Sequence, residues 1–205
     1  MYRPGIKRAL FLSIFIISQF AAASAQSATP QPIGRDLTAT LYFVVGSDED
    51  PGGRELGPRL DDLFAGIRDT HGYALYRIID AQTGRAAPGG LLETRSIVSL
   101  ARAEPDGPSY IDWRMILAKS ATGETSTGRI AIESFRAGMN IPVRSMSPNP
   151  NTGLMQPSIS YQNAGVTSSR FGVAPDKPTL VGTVTVPAFK GTLFIVLMLN
   201  EAPIN

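Results

Sequence analysis

The chain has 205 residues, a formal net charge of +2 and no cysteine. Without cysteine it can form no disulfide, no catalytic thiol and no cysteine-based metal site, so burial and hydrogen bonding must hold its fold. The small net charge and the lack of any Lys/Arg cluster argue against binding to a nucleic-acid backbone.

The first 25 residues have the pattern of a cleavable secretory signal peptide. Arg3, Lys7 and Arg8 form a positively charged start. A mostly apolar stretch then runs from Ala9 to Ala23, and small residues precede a cleavage point after Ala25. This stretch is shorter than the about 20 apolar residues of a membrane-spanning helix. We therefore expect cleavage, no transmembrane span afterwards, and a periplasmic or extracellular location.

Cleavage also changes the charge of the chain. It removes three basic residues, which leaves 19 − 3 = 16 Lys and Arg against 17 Asp and Glu. The mature chain is then close to neutral, which further weakens the case for a nucleic-acid partner.

The remaining sequence predicts an α+β fold that is mostly β. Residues 26–36 contain two prolines and few apolar residues, as in a flexible lead-in. Residues 37–205 predict a single β-rich domain. Its first part, 37–80, has the pattern of a β-α-β unit, and its second part, 95–199, that of an antiparallel β-sandwich or open barrel.

The β-α-β unit is predicted from local patterns. Residues favouring strands cover Leu37–Val45 and Tyr73–Asp80. Between these strands, apolar residues recur at the spacing of one helical face: Leu60, Leu63, Phe64 and Ile67. Pro58 suits the first turn of this helix, and Gly72 suits its end. If the two strands pair in parallel, the crossover should be right-handed.

Seven further strands are predicted in the second part, separated by turns rich in Pro and Gly. They are 95–102, 109–118, 129–135, 139–146, 155–161, 179–186 and 192–199. Ile111 and Trp113 alternate with Asp112 and Arg114, as in a strand with one buried face. Residues 192–199 are apolar on both faces, which favours a buried central strand over a strand donated to a neighbouring subunit.

His71 is the only histidine, so any histidine-dependent catalysis or metal site must use it. Its position in the last helical turn favours a structural role beside the terminal carbonyl groups. Asp69 and Asp80 are near it in sequence, but nearness alone makes no triad. The sequence also lacks the motifs of nucleotide-binding proteins, zinc proteases and α/β-hydrolases.

The acidic segment Ser47–Gly53, followed by Glu55, contains oxygen donors of the kind that Ca²⁺ prefers. Its spacing does not match an EF-hand loop, and Pro51 interrupts it. We therefore expect a solvated loop and assign no metal ligand to it.

Two carboxylates raise the alternative of an exported hydrolase. Asp112 and Glu133 lie on predicted strands and could face each other as the acid pair of a glycosidase. Cross-strand pairing with Arg114 and Arg129 is the favoured interpretation of these residues. We assign no catalytic residue.

Aromatic residues raise a second alternative, a carbohydrate-binding module. The candidates for a sugar-stacking platform are Tyr73, Tyr76, Tyr110, Trp113 and Tyr161. Trp113 shares a strand face with Ile111, which favours the core for its ring. Tyr110 and Tyr161 are then the residues on which the platform depends.

Five features follow one another along the chain: the signal peptide, Leu60-x-x-Leu63-Phe64, Tyr73-x-x-Tyr76, Pro178–Gly182 and Leu193–Leu197. This pattern resembles that of a group of short exported proteins of the bacterial envelope, some of them similar to small secretin-associated domains. This resemblance implies no catalytic residue and no cofactor. It implies an exported, non-catalytic binding or assembly component of the cell envelope, with protein partners there.

Overall fold

Two antiparallel β-sheets and one helix make up the residues that the computed structural model describes, which are 36–98, 107–119, 128–186 and 189–201. The predicted signal peptide, and all of the lead-in except Asp36, lie outside these ranges. The fold is α+β and mostly β, as the sequence predicts, and the sheets do not close into a barrel. The described part of the chain contains no helix long and apolar enough to cross a membrane.

The elements follow one another along the chain with these bounds: β1 Leu37–Ser47, β2 Arg54–Glu55, α1 Pro58–His71, β3 Leu75–Ala86, β4 Leu91–Val98, β5 Ser109–Leu117, β6 Ile130–Pro148, β7 Met155–Val173, β8 Thr179–Val186 and β9 Gly191–Glu201. The five-stranded sheet has the order β2-β3-β1-β9-β8. The four-stranded sheet has the order β4-β5-β6-β7.

The predicted helix is present with the predicted ends. Pro58 lies in its first turn, and Gly72 closes it with φ 69°, donating its N–H to Arg68 O at 2.9 Å. The buried face packs on the outer side of the five-stranded sheet through Leu60, Phe64 and Ile67. The strands on either side of the helix, β1 and β3, pair antiparallel. The right-handed crossover was predicted only for a parallel pair, so that prediction does not apply here.

The two sheets bury their inner faces against each other. The alternation predicted for β5 is confirmed, because Ile111, Trp113 and Met115 point into this core and are at most 1% exposed. Strand β9 lies between β1 and β8 of its own chain, and every side chain from Leu193 to Leu199 is buried. Of the two interpretations of this segment, the internal central strand is therefore correct.

The largest difference from the predicted strands concerns β6 and β7, which form one long hairpin. Residues 129–135 and 139–146 were expected to be two strands, but β6 continues through Gly138. Strand β7 continues well beyond Tyr161 to Val173. Gly138 falls in the gap between the two predicted strands. In the structure it is paired directly with Gly165, so the strand continues through it.

The two sheets differ in what covers their outer faces. Helix α1 covers the five-stranded sheet, whereas no described element covers the outer face of the four-stranded sheet. All the large apolar side chains that are exposed among the described residues lie on this uncovered face or at its hairpin tip: Leu91, Ile97, Met146, Leu154, Met155, Ile159 and Tyr161. Exposed apolar residues gathered in this way are typical of an interaction surface.

Candidate binding surface

The uncovered face of the four-stranded sheet carries a polar ladder across three strands. Because Trp113 points inward on β5, its neighbour Asp112 points outward. Asn140 Nδ2 on β6 donates a hydrogen bond of 3.0 Å to Asp112 Oδ1. Asn163 Nδ2 on β7 donates a hydrogen bond of 3.0 Å to Asn140 Oδ1. These bonds fix the orientation of the two amides, and the second carboxylate oxygen of Asp112 takes no part in them.

Beside the polar ladder, the outer face of the sheet has a strip that carries no side chains on β6 and β7. Gly138 and Gly165 are opposite each other in the next row, and neither carries a side chain. A Cβ atom on Gly165 would lie 2.6 Å from Ala137 O and 2.8 Å from the Gly138 Cα. The backbones of β6 and β7 therefore lie close together at this pair. Gly138 is buried, with its Cβ position 3.5 Å from Asn163 Nδ2, whereas Gly165 is exposed and lets a ligand approach β7.

Two tyrosines lie at one end of this bare strip. The ring centroids of Tyr110 and Tyr161 are 5.7 Å apart and their planes are tilted by 51°. The Arg95 guanidinium carbon lies 5.2 Å from the Tyr110 centroid, in a cation–π position. Desolvation, together with the nearby Tyr110 and its hydrogen bond, raises the pKa of the Tyr161 phenol above 10.0. With Tyr161 49% exposed, the pair presents aromatic surface to solvent.

Charged residues lie at the opposite end of the strip. Arg114 on β5 is opposite Glu93 on β4 and Arg136 on β6. These side chains line a cleft of about 330 Å³ together with Asp112 and Arg95. We call this strip the trough. It has glycine at its base, the two tyrosines at one end, and Arg114 and Arg136 at the other end.

The far half of the β6–β7 hairpin, residues 143–160, is a second part of the surface, which we call the arm. Both strands alternate, so one face of the arm continues the outer face of the sheet. Apart from Arg144 at its base, that face carries apolar side chains: Met146, Pro148, Met155, Pro157 and Ile159. Apart from Val143 at its base, the opposite face carries polar side chains: Ser145, Ser147, Gln156, Ser158 and Ser160. The arm is therefore an amphipathic two-stranded ribbon.

The arm is also almost free of charge. No Asp, Glu, Lys or Arg occurs between Arg144 and Arg170. Met146, Met155 and Ile159 are 53–58% exposed, and Leu154 at the tip is 71% exposed. Charged residues commonly protect exposed sheet edges from association. Their absence here favours the docking of another surface onto the arm.

Only part of the predicted aromatic platform comes together. Trp113 is 1% exposed and Tyr76 is 7% exposed, both within cores. Tyr73 lies near the helix end, where its hydroxyl is 2.8 Å from Thr192 Oγ1. Tyr110 and Tyr161, from strands far apart in sequence, are the two that meet on the outer face.

The two carboxylates considered for hydrolysis do not face each other. Asp112 is opposite Gly138, and Glu133 is five positions further along β6. That separation corresponds to about 15 Å along the strand, whereas the carboxyl groups of inverting glycosidases lie about 6.5–9.5 Å apart. The partner of Asp112 is Asn140, and Arg114 faces Glu93 and Arg136 instead. The register therefore gives no support to this catalytic pair.

His71 has aromatic neighbours at the helix end. Its ring lies 4.9 Å from the Phe194 ring, edge to face, and 6.4 Å from the Tyr73 ring. Asp80 accepts a hydrogen bond of 3.0 Å from Gln82 Nε2. The His71 ring therefore packs against aromatic side chains at the helix end, while the Asp80 carboxylate bonds to Gln82.

The acidic loop uses its carboxylates to fix its own structure. Asp48 Oδ1 accepts from Ala74 N at 3.1 Å, and Asp50 Oδ1 accepts from Gly52 N at 3.0 Å. Glu49 Oε1 pairs with Lys190 at 2.8 Å. In the ranges that the structure covers, no three His, Asp or Glu residues gather in a way that could hold a metal ion.

A larger cleft, of about 690 Å³, lies beside α1 and the turn before β8. Its charged lining consists of Arg59, Asp62, Asp176 and Lys177. Two positive and two negative side chains give no preference for a ligand of either sign. The trough and the arm therefore remain the parts of the molecule with distinctive chemistry.

Neither a protein-family model, nor a characterised protein, nor a solved structure matches this chain. A functional assignment therefore depends on the geometry of its own surface.

Sequence reasoning missed the polar ladder, the trough and the arm. The trough depends on the pairing register of β5, β6 and β7, which brings Asp112, Asn140 and Asn163 together. Local sequence patterns do not predict that register. One signal for the arm was present in the sequence. The uncharged segment between Arg144 and Arg170 is unusual in a chain of which 18% is charged.

Proposed function

We propose that this protein is an exported, non-catalytic component of the bacterial cell envelope that binds a protein partner through the arm. The observation that carries the proposal is the amphipathic character of the arm. Its apolar face projects Met146, Met155 and Ile159 into solvent, while its other face carries serine and glutamine. A contiguous apolar surface of this kind is stabilised by contact with a complementary apolar surface.

The proposed export depends on the signal-like N-terminus, and cell fractionation tests it. When the full-length chain is expressed with a tag, we expect the tagged product in the periplasmic or extracellular fraction. Cleavage after Ala25 should have removed its signal peptide. A full-length product retained in the cytoplasm would overturn this part of the proposal.

Two substitutions on adjacent residues test the role of the arm. Ile159→Glu places a charge on the apolar face, and Ser160→Glu places the same charge on the polar face of the same strand. Affinity capture from solubilised envelope is expected to lose its specific partner with Ile159→Glu and to keep it with Ser160→Glu. A partner identified in this way should also slow amide hydrogen exchange over residues 143–160 of the wild-type protein. Equal capture by the two variants would contradict the proposal.

Carbohydrate binding is a second candidate function, favoured by the trough. Tyr110 and Tyr161 lie next to a ladder of amide and carboxylate groups, and sugars present apolar ring faces beside hydroxyl groups. The trough and the tip of the arm use different side chains.

A further inference from the structure

The two arginines at the end of the trough are in an unfavourable arrangement. Arg114 and Arg136 are directly opposite each other on neighbouring strands. Like charges in this position destabilise a sheet. Glu93 is opposite Arg114 on the other side, so one negative charge offsets one of the two positive charges. No carboxylate is directly opposite Arg136 on its other side. With Arg95 and Asp112, the cleft holds three arginines and two carboxylates, so its net charge is positive.

An anionic ligand group would resolve this arrangement. Arginine binds carboxylates through paired N–H groups, and two converging guanidinium groups suit a single anion well. Both arginines lie on the exposed face of the sheet, so an anion could reach them from solvent.

The trough is long enough for several linked sugar rings. Tyr161 is opposite Pro142 on β6. Pro142 is six residues away from Arg136, where the trough ends. This spacing corresponds to about 20 Å along β6. Between these ends lie the polar ladder and then the exposed backbone of Gly165.

We infer that the trough binds an acidic oligosaccharide. The apolar face of one sugar ring packs on Tyr110 and Tyr161. The hydroxyl groups of the chain bond to Asp112, Asn140 and Asn163, and a sugar carboxylate lies between Arg114 and Arg136. Gly165, which is exposed and has no side chain, allows the middle of the oligosaccharide to approach the sheet. This inference rests on the proposal that the trough binds a carbohydrate. It adds that this carbohydrate is negatively charged.

Oligomers of galacturonic acid test the inference, because their methyl esters keep the same rings and lose the charge. Calorimetric titration of the purified protein is expected to show binding of the acidic oligomer and binding about tenfold weaker for the ester. Added salt should weaken the first interaction more than the second. Equal affinity for both oligomers would overturn the inference and leave neutral carbohydrate binding in place. If neither oligomer binds, both the inference and the proposal of carbohydrate binding are overturned.

Variants locate the interaction. Arg136→Gln should weaken binding of the acidic oligomer about tenfold and leave binding of the ester unchanged. Tyr161→Ala should weaken both. Arg59→Gln, on the exposed side of α1, is the matched control and should bind as the wild type does. An Arg136→Gln variant with full affinity for the acidic oligomer would overturn the inference.

Inorganic polyphosphate separates a saccharide site from a surface that binds any anion. It carries charge but has no ring to pack on the tyrosines, so we expect it to bind more weakly than the acidic oligomer. Equally tight binding that is unaffected by Tyr161→Ala would show that the trough recognises charge alone. Protein capture by the arm is measured separately with Ile159→Glu, so failure of one proposal leaves the other intact.

Discussion

The indole Nε1 of Trp113 donates a hydrogen bond of 2.8 Å to Oε1 of Gln82 inside the sandwich. Trp113 belongs to the four-stranded sheet and Gln82 to the five-stranded sheet, so this bond joins the two across the core. The amide nitrogen of Gln82 donates onward to Asp80 and to Ser96. The polar atoms of this buried glutamine are therefore all bonded.

Replacing Gln82 with Leu should destabilise the protein by about 1–3 kcal/mol, because a buried indole N–H loses its acceptor. Urea denaturation measures the change. Gln162→Leu, at an exposed position of β7, is the control and should change stability by less than about 0.5 kcal/mol. Equal effects of the two substitutions would show that the bond between the sheets contributes little.

Gly165→Ala should destabilise the fold by about 1–3 kcal/mol, because its Cβ would lie against the backbone of β6. Gly66→Ala is the matched control. Gly66 lies within α1 with open space around its Cβ position, so alanine there should stabilise the protein by about 0.5–1 kcal/mol. Thermal unfolding of the two variants should therefore shift in opposite directions, and a neutral Gly165→Ala would contradict the close approach of β6 and β7.

The tyrosine pair should be visible in a spectroscopic titration. Tyr161 should ionise above pH 10.0, because desolvation and the Tyr110 hydroxyl both raise its pKa. Since the folded-state pKa is raised, the stability that the neutral phenol contributes is present below pH 10 and is lost as pH rises through that pKa. Tyr110→Phe should lower the pKa of Tyr161 towards 10.0. Ultraviolet absorbance of tyrosinate measures this, and Tyr161→Phe identifies the transition by removing it.

The arm should be dispensable for folding. Arg144 and Ile159 are opposite each other, so an Asn-Gly turn can replace residues 145–158 and close the hairpin there. The removed side chains lie outside both cores, and we expect the free energy of unfolding to fall by less than about 1 kcal/mol. Partner capture should be lost in the same variant. A protein that no longer folds would show that the arm contributes to the core.

Elements that depend on local interactions were predictable from the sequence, and elements that depend on long-range pairing were not. The helix was predictable because its ends depend on Pro58 and Gly72 and its face on a local repeat. The burial of β9 was predictable because apolar residues occupy both of its faces. The long hairpin was not, since Gly138 weakens a strand locally and only its pairing with Gly165 explains it.

The position of β9 has a consequence for how the chain acquires its structure. Residues 37–47 are synthesised early, yet their partner on one side is a strand that emerges more than a hundred residues later. Until that strand is available, the five-stranded sheet has a gap at its centre, and pairing across such a sequence distance forms slowly. A chain built in this way stays incompletely folded while it is being made. If the chain is exported as proposed, this delay would keep it unfolded during its passage across the membrane.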